Sequence, residues 1–256
     1  MRLLHIERLE LKYFPDREIP GPYLTTSHRW YADQESTKKD VDKKRNLEKR
    51  GYHKIEGFCR FAKSWAAQTG SPLEWIWVDT CCIDKKSSAE VTQSINAMCK
   101  WYKSSAGCLA YLADVRPLSA GMDAVLEDFK RSEWFTRGWT LQELLAPPYV
   151  IFLTRDWEVI GQKSTISSGK VPPGGMVLNY MIADITRIPL SVIHDYDSRR
   201  TYEVNVRMSW AQGRVTTEEE DEAYCLLGMF DVHLAFIPAE GRQNAFRRLW
   251  DEIQRF

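Results

Sequence analysis

The sequence predicts an α/β fold: a mainly parallel sheet flanked by helices and followed by a helical C-terminal extension. Three observations carry this expectation. Short apolar runs of strand length alternate with longer stretches of helical period. One run, Trp75-Ile76-Trp77-Val78, is apolar on both faces, as an interior strand of a parallel sheet must be. Beyond residue 175 the apolar residues recur with helical spacing instead.

Taken in order, Tyr23 to Thr26 follows the Pro20-Gly21-Pro22 breaker and reads as a strand that ends at Ser27-His28-Arg29-Trp30. After a charged segment from Lys38 to Arg50, Ile55, Phe58, Cys59, Ala62 and Ala66 recur at helical steps, which predicts a helix stopping near Gly70-Ser71-Pro72. The strand Trp75–Val78 closes on Asp79-Thr80-Cys81-Cys82-Ile83-Asp84. Ser87 or Ser88 then caps a helix whose face is Val91, Ile95, Met98 and Tyr102. Cys108 to Leu112 gives a third strand ending at Asp114, and Trp134 to Leu145 reads as helical up to Pro147-Pro148. Tyr149 to Leu153 gives a fourth strand.

Residues 161–175 are rich in Ser, Gly and Pro and read as an exposed loop; Ser168-Gly169-Lys170 lacks the spacing of a phosphate-binding loop. Thr217-Glu218-Glu219-Glu220 has the form of a capping box opening a helix with the stripe Ala223, Leu226, Leu227 and Phe230. A last helix, Asn244 to Phe256, turns Phe246, Leu249 and Ile253 inward. Residues 1–160 are expected to form the α/β domain, and residues 161–256 a loop and helical extension packed on it.

Composition narrows the function classes. The 256 residues carry 35 Lys and Arg against 35 Asp and Glu, without the basic excess that nucleic-acid or anionic-membrane binding usually requires. No run approaches a membrane span, the N-terminus has no continuous apolar core of a secretion signal, and six cysteines are too few for a disulfide scaffold of this length. A cytoplasmic setting is expected, with no cofactor, no metal, no nucleic acid and no membrane span.

Candidate chemistry gathers at the carboxyl ends of the expected strands, where open parallel sheets bind ligands. Arg29 can hold a phosphate or pair with Asp79 or Asp84; Trp30 can stack on a base or belong to the core. Cys81 and Cys82 lack zinc-ligand spacing and read as buried thiols, with a cysteine nucleophile served by His28 as the other reading. Glu143 lies in an apolar helical stretch four residues after Trp139, whose indole would then shield one side of the carboxylate. It is either functional or paired with a cation such as Arg137.

Several stretches, in order, resemble the fungal heterokaryon incompatibility (HET) domain: Tyr23 through Trp30, Trp77 through Lys85, Ser88-Ala89-Glu90 through Trp101-Tyr102, and Trp134 through Leu144. Glu220 through Phe230 resembles sequence that follows this domain, whereas Phe236 through Gly241 departs from the family's usual Tyr-Gly-Glu-Gly. The resemblance implies a cell-death-inducing role in non-self recognition. It also implies a distant likeness to Toll/interleukin-receptor (TIR) domains and their flavodoxin-like sheet. Their NAD-cleaving members carry Trp-x-x-x-Glu, which Trp139 and Glu143 match; the Ser and Cys that commonly flank that Trp are Arg137 and Thr140 here.

On this resemblance Glu143 is the expected catalytic carboxylate. Ser27, His28, Arg29, Trp30, Asp79, Cys81, Asp84 and Trp139 are the expected substrate-binding residues, NAD+ or a related nucleotide the substrate, and self-association the expected assembly. One carboxylate suffices in principle, because nicotinamide leaves a cationic pyridinium as a neutral ring and needs no general acid. The alternative is a non-enzymatic, self-associating signalling module that kills through partners.

Overall fold

The computed structural model describes residues 1–15, 18–165 and 175–255. The chain opens with two short strands, β1 (Arg2–His5) and β2 (Leu11–Tyr13), paired antiparallel. Leu3 and Leu4 of β1 are fully buried, while β2 is largely exposed at the sheet edge. The frequent charges of this segment hide its strand pattern, so the sheet expected from sequence starts only at Tyr23.

The central strands are those expected from the apolar runs. β3 (Tyr23–His28) is buried throughout and extends two residues past the expected end. The charged segment folds as α1 (Lys38–Asp42), closed by a capping box between Thr37 and Asp40. α2 (Arg50–Thr69) buries Ile55, Phe58, Cys59 and Ala62 and ends on Gly70, whose φ of 63° supplies the left-handed cap. β4 (Trp75–Trp77) is followed by one helical turn, α3 (Asp79–Cys82). Ser87 Oγ accepts the Glu90 amide at 3.3 Å and caps α4 (Ser88–Ser104). Helix α4 is tied to β3 through Tyr102, whose hydroxyl donates to the Thr26 carbonyl at 2.9 Å.

β5 (Gly107–Tyr111) lies at the middle of the sheet. A Cβ at Gly107 would sit 2.2 Å from the Tyr149 ring, so only glycine allows β6 (Tyr149–Leu153) this close. Between β5 and β6 come α5 (Met122–Arg131), a 3-10 turn (Glu133–Thr136) and α6 (Thr140–Leu145). The continuous helix expected from Trp134 to Leu145 is therefore broken: Arg137 is extended and Gly138 is drawn into a backbone bond with Val215.

The expected loop at residues 161–175 is corrected at its start. β7 (Val159–Ser164) pairs antiparallel with β6 and carries the fully buried Gln162 and Lys163. Lys163 Nζ donates to the carbonyls of Leu145 and Pro147 at 3.1 and 2.7 Å, closing the end of α6. β8 (Met176–Val177) then pairs parallel with β7. The fragment Ser168-Gly169-Lys170 lies outside the described residues. The boundary drawn after residue 160 falls inside β7.

The sheet order is β2-β1-β4-β3-β5-β6-β7-β8. β4, β3, β5 and β6 are mutually parallel, with β1 and β7 antiparallel on either flank. The sheet is thus mixed, parallel at its centre. In chain order the parallel strands lie second, first, third, fourth, so the order reverses between β3 and β5.

The remaining chain is mainly helical, as expected: α7 (Asn179–Thr186), α8 (Leu190–His194), a 3-10 segment (Tyr196–Thr201) and α9 (Val204–Ser209) precede three more helices. The single helix expected after Thr217 is instead two turns, α10 (Asp221–Tyr224) and α11 (Leu227–Phe230), and no side chain caps the first. Its stripe Ala223, Leu226, Leu227 and Phe230 is nevertheless buried. α12 (Gly241–Ile253) buries Ala245 and Leu249, with Phe246 and Ile253 partly buried against the same core.

Candidate functional site

The reversal between β3 and β5 places the ends of both strands beside an open crevice, the position where α/β sheets bind ligands. His28 and Tyr111, the last residues of the two strands, are register partners. Beyond them lies a cleft of about 410 Å³ lined by Arg29, Trp30, Tyr31, Arg50, Tyr111 and Trp134, among others.

Beneath the cleft, Ser27 links three elements. Its Oγ accepts the Trp134 indole N–H at 2.7 Å and donates to Glu143 Oε2. Glu143 is 7% exposed, and among the described residues no Lys or Arg forms an ion pair with it, so the expected pairing with Arg137 is absent. Burial pushes its carboxyl up to about 8, against the Ser27 hydrogen bond and with the Asp79 charge adding to the rise. At neutral pH Glu143 is mostly a neutral acid. It does not itself line the cleft; Trp134 does, with Ser27 behind it.

The neighbouring cluster is ionic and tightly packed. His28 is buried, and both ring nitrogens lack hydrogen-bond partners among the described residues. Its Nε2 lies 3.8 Å from Asp79 Oδ1 and 3.9 Å from Glu35 Oε2. Burial, with the nearby charges of Lys54 and Lys85, holds the imidazole well below its ordinary value and therefore neutral. Lys54 Nζ donates to Glu35 Oε1 at 2.5 Å and to the Arg29 carbonyl at 2.8 Å. The Trp30 indole donates to Asp79 Oδ2 at 2.8 Å, and Lys85 Nζ stands 3.1 Å from the Trp30 ring centre. Burial raises the Asp79 carboxyl, with the Lys85 charge and the Trp30 bond opposing.

The expected site residues divide. Ser27, His28, Arg29, Trp30, Asp79 and Glu143 converge on this end of the sheet. Arg29 pairs with Glu133 rather than with Asp79 or Asp84. Cys81 is wholly buried in α3, its thiol directed to the Val78 carbonyl at 3.8 Å and raised by its neighbour Cys82 and by burial, which leaves no thiolate for attack. Asp84 accepts the Lys86 amide at 3.1 Å and so serves its own turn. Trp139 gives its indole N–H to Asp221 at 2.9 Å, and the indole bonded toward Glu143 through Ser27 is that of Trp134.

Glu35, Arg50, Lys54, Tyr111 and Trp134 were not singled out from sequence as site residues. Only Trp134 had a signal, as the first aromatic of the stretch that contains Glu143. Among the described residues no group of three or more His, Cys, Asp or Glu is arranged to hold a metal ion. No helix of the described residues is long and apolar enough to cross a membrane.

The C-terminal segment grips the front of α6. Gly138 N donates to Val215 O at 2.9 Å and Val215 N to Thr136 O at 2.7 Å. Arg214 donates to the Arg137 carbonyl at 2.9 Å and to Thr140 Oγ1 at 3.0 Å. A Cβ on Gly138 would come 2.6 Å from Thr216, so glycine permits this approach.

A parallel-centred α/β domain with a cleft at its strand reversal and a buried acid behind the cleft wall is the class these features define. The family model described as Heterokaryon incompatibility protein (HET) matches residues 23–125, the stretch that supplies β3, β4 and β5. The chain is 40% identical over 246 residues to Vegetative incompatibility protein HET-E-1 of Podospora anserina, across 94% of this chain and 17% of that protein. It belongs to the HET-domain family. The chain spans about a sixth of the length of that curated relative. No solved structure matches it.

Proposed function

We propose that the chain is a cell-death-inducing module of non-self recognition that acts by cleaving NAD+ to nicotinamide and ADP-ribose, with Glu143 as its catalytic carboxylate. The non-self role rests on family membership and on the HET-E-1 relative. The chemistry rests on one observation: Glu143 is a buried acid without a cation partner among the described residues, joined through Ser27 to a wall residue of the cleft at the strand reversal. The second-first-third-fourth strand order is also that of flavodoxin-like sheets, which supports the TIR-like reading, although here the next strand runs antiparallel.

The charge state fits a cationic substrate. A pyridinium brought near Glu143 favours its ionised form, and the proton passes to solvent. The bond from the ribose C1′ to the pyridinium nitrogen then breaks with its electron pair going to the ring, which leaves as neutral nicotinamide. Glu143 hydrogen-bonds the ribose hydroxyls and stabilises the positive charge developing at C1′. Water adds to C1′ and loses a proton to give ADP-ribose. For contact with the ribose, Trp134 must swing aside and release Ser27.

That requirement favours one alternative. Because Glu143 stands behind the cleft wall, a non-enzymatic module that signals by self-association is the second reading. Purified protein at high concentration incubated with NAD+, with products separated, decides between them. Nicotinamide release that disappears in Glu143→Gln supports the enzyme; inert wild type, with cell killing retained by Glu143→Gln, supports the scaffold.

A further inference from the structure

The cleft has an unused cation. Arg50 opens α2, and its guanidinium carbon lies 3.9 Å from the Tyr31 ring centre. Among the described residues it has no carboxylate or carbonyl partner, and it lines the cleft. The same Tyr31 ring carries Lys54 Nζ at 4.2 Å. The same cleft is lined by a second guanidinium, Arg29, whose only anion among the described residues is Glu133; the two side chains of that pair are 53% and 57% exposed, so solvent screens it. Asp114, the acid on the lining, has both oxygens engaged, by Ser132 Oγ and by the Glu133 amide, each at 2.8 Å. The lining thus presents one unpaired guanidinium and one weakly held, beside the half-exposed Trp30 and the rings of Tyr31 and Tyr111.

We propose that this cleft is a diphosphate subsite for a nucleotide. Arg50 is the fixed anchor of the phosphates, and Arg29 joins it when phosphate displaces Glu133. Guanidinium forks match phosphate oxygens bidentately, and the aromatic rim offers faces on which a base can stack. Glu133 is then an internal competitor that occupies Arg29 while the cleft is empty. The assignment rests on the reading of this end of the sheet as a nucleotide site, and names the part of the ligand it holds.

Calorimetric titration of the purified chain with ADP, adenosine and inorganic pyrophosphate tests it. ADP is expected to bind at least about tenfold more tightly than adenosine, with pyrophosphate competing. Arg50→Gln should lose about tenfold in ADP affinity and little for adenosine, with Arg50→Lys between. Glu133→Gln should bind ADP severalfold more tightly, an effect that a merely structural Arg29–Glu133 pair would not produce. Equal binding of adenosine and ADP, no ADP binding, or undiminished ADP affinity in an Arg50→Gln protein of unchanged Tm overturns the proposal. Arg50-dependent ADP binding without nicotinamide release therefore removes the enzymatic reading alone, and nicotinamide release indifferent to Arg50→Gln removes this subsite alone.

Discussion

Ser27 donates its hydroxyl hydrogen bond to Glu143, a residue 116 positions further along the chain, and in the same place accepts from the Trp134 indole. This contact fixes where the acid of α6 sits relative to the end of β3. Replacing Ser27 with Ala leaves a buried indole N–H and a buried carboxyl without their partner. The loss should be about 1–3 kcal/mol, read by urea denaturation. A cost near zero would mean that water fills the gap.

The raised Glu143 carboxyl makes stability depend on pH. The unfolded chain ionises this group near 4.5, the folded chain near 8. Between those values the native state holds a proton that the unfolded state has released, so its contribution falls as pH rises. Glu143→Gln lacks this loss. Its stability relative to wild type should therefore improve from pH 5 to pH 8, by at most about 1.4 kcal/mol per pH unit. Parallel curves for the two proteins would show that the acid is already ionised in the native state.

The same ionisation should shape catalysis. If the carboxylate is the working form, kcat/KM for nicotinamide release rises with pH toward about 8 in the free protein. Glu143→Gln should lower it by about a hundredfold or more, because the group acts on charge that develops in the transition state. A flat profile between pH 6 and 8 would count against Glu143 in that role.

Arg214 holds the first turn of α6 from the C-terminal segment through the Arg137 carbonyl and Thr140 Oγ1. Arg214→Ala removes both bonds in a partly buried site. Denaturation should register a loss of about 1.5–3 kcal/mol, as expected for hydrogen bonds to a charged group.

Gly107→Ala tests how closely β5 and β6 pack. The added methyl would meet the Tyr149 ring at 2.2 Å, inside any tolerable contact. Overpacking of this kind costs about 1–3 kcal/mol, and a Tm equal to wild type would mean that the ring can turn away.

The parts of the fold legible in the sequence were those set by local patterns. Trp75–Val78, Tyr149–Leu153 and the stripe from Ile55 to Ala66 carry their own periodicity, and the elements formed where those runs lie. β7 reads as loop because Gly161, Gln162 and Lys163 look polar or flexible, yet pairing with β6 draws all three into the sheet, where the carbonyls of Leu145 and Pro147 satisfy Lys163 while the Gln162 side-chain amide has no hydrogen-bond partner among the described residues. The helix expected after Thr217 begins only at Asp221 and is interrupted at Cys225 and Leu226, between α10 and α11.

In the site, strand ends were readable because β3, β4 and β5 finish at one edge of the sheet, which brings Ser27, His28 and Asp79 together. Trp139 keeps its place one turn before Glu143, at the N-cap of α6, but Asp221 takes its indole N–H, and Trp134 reaches Ser27 from the 3-10 turn by a tertiary contact that spacing along the chain does not show. Arg50 and Lys54 come from the start of a distant helix, and only the folded chain brings them to the cleft.

The run of β7 past residue 160 has a practical meaning for anyone who shortens this protein. A fragment ending there would bare the flank of β6, five buried apolar residues with unmet amides and carbonyls. Raw sheet margins of that kind recruit strands from neighbouring molecules. Such a fragment should clump, and toxicity seen with it in cells would report sticky protein rather than the native activity.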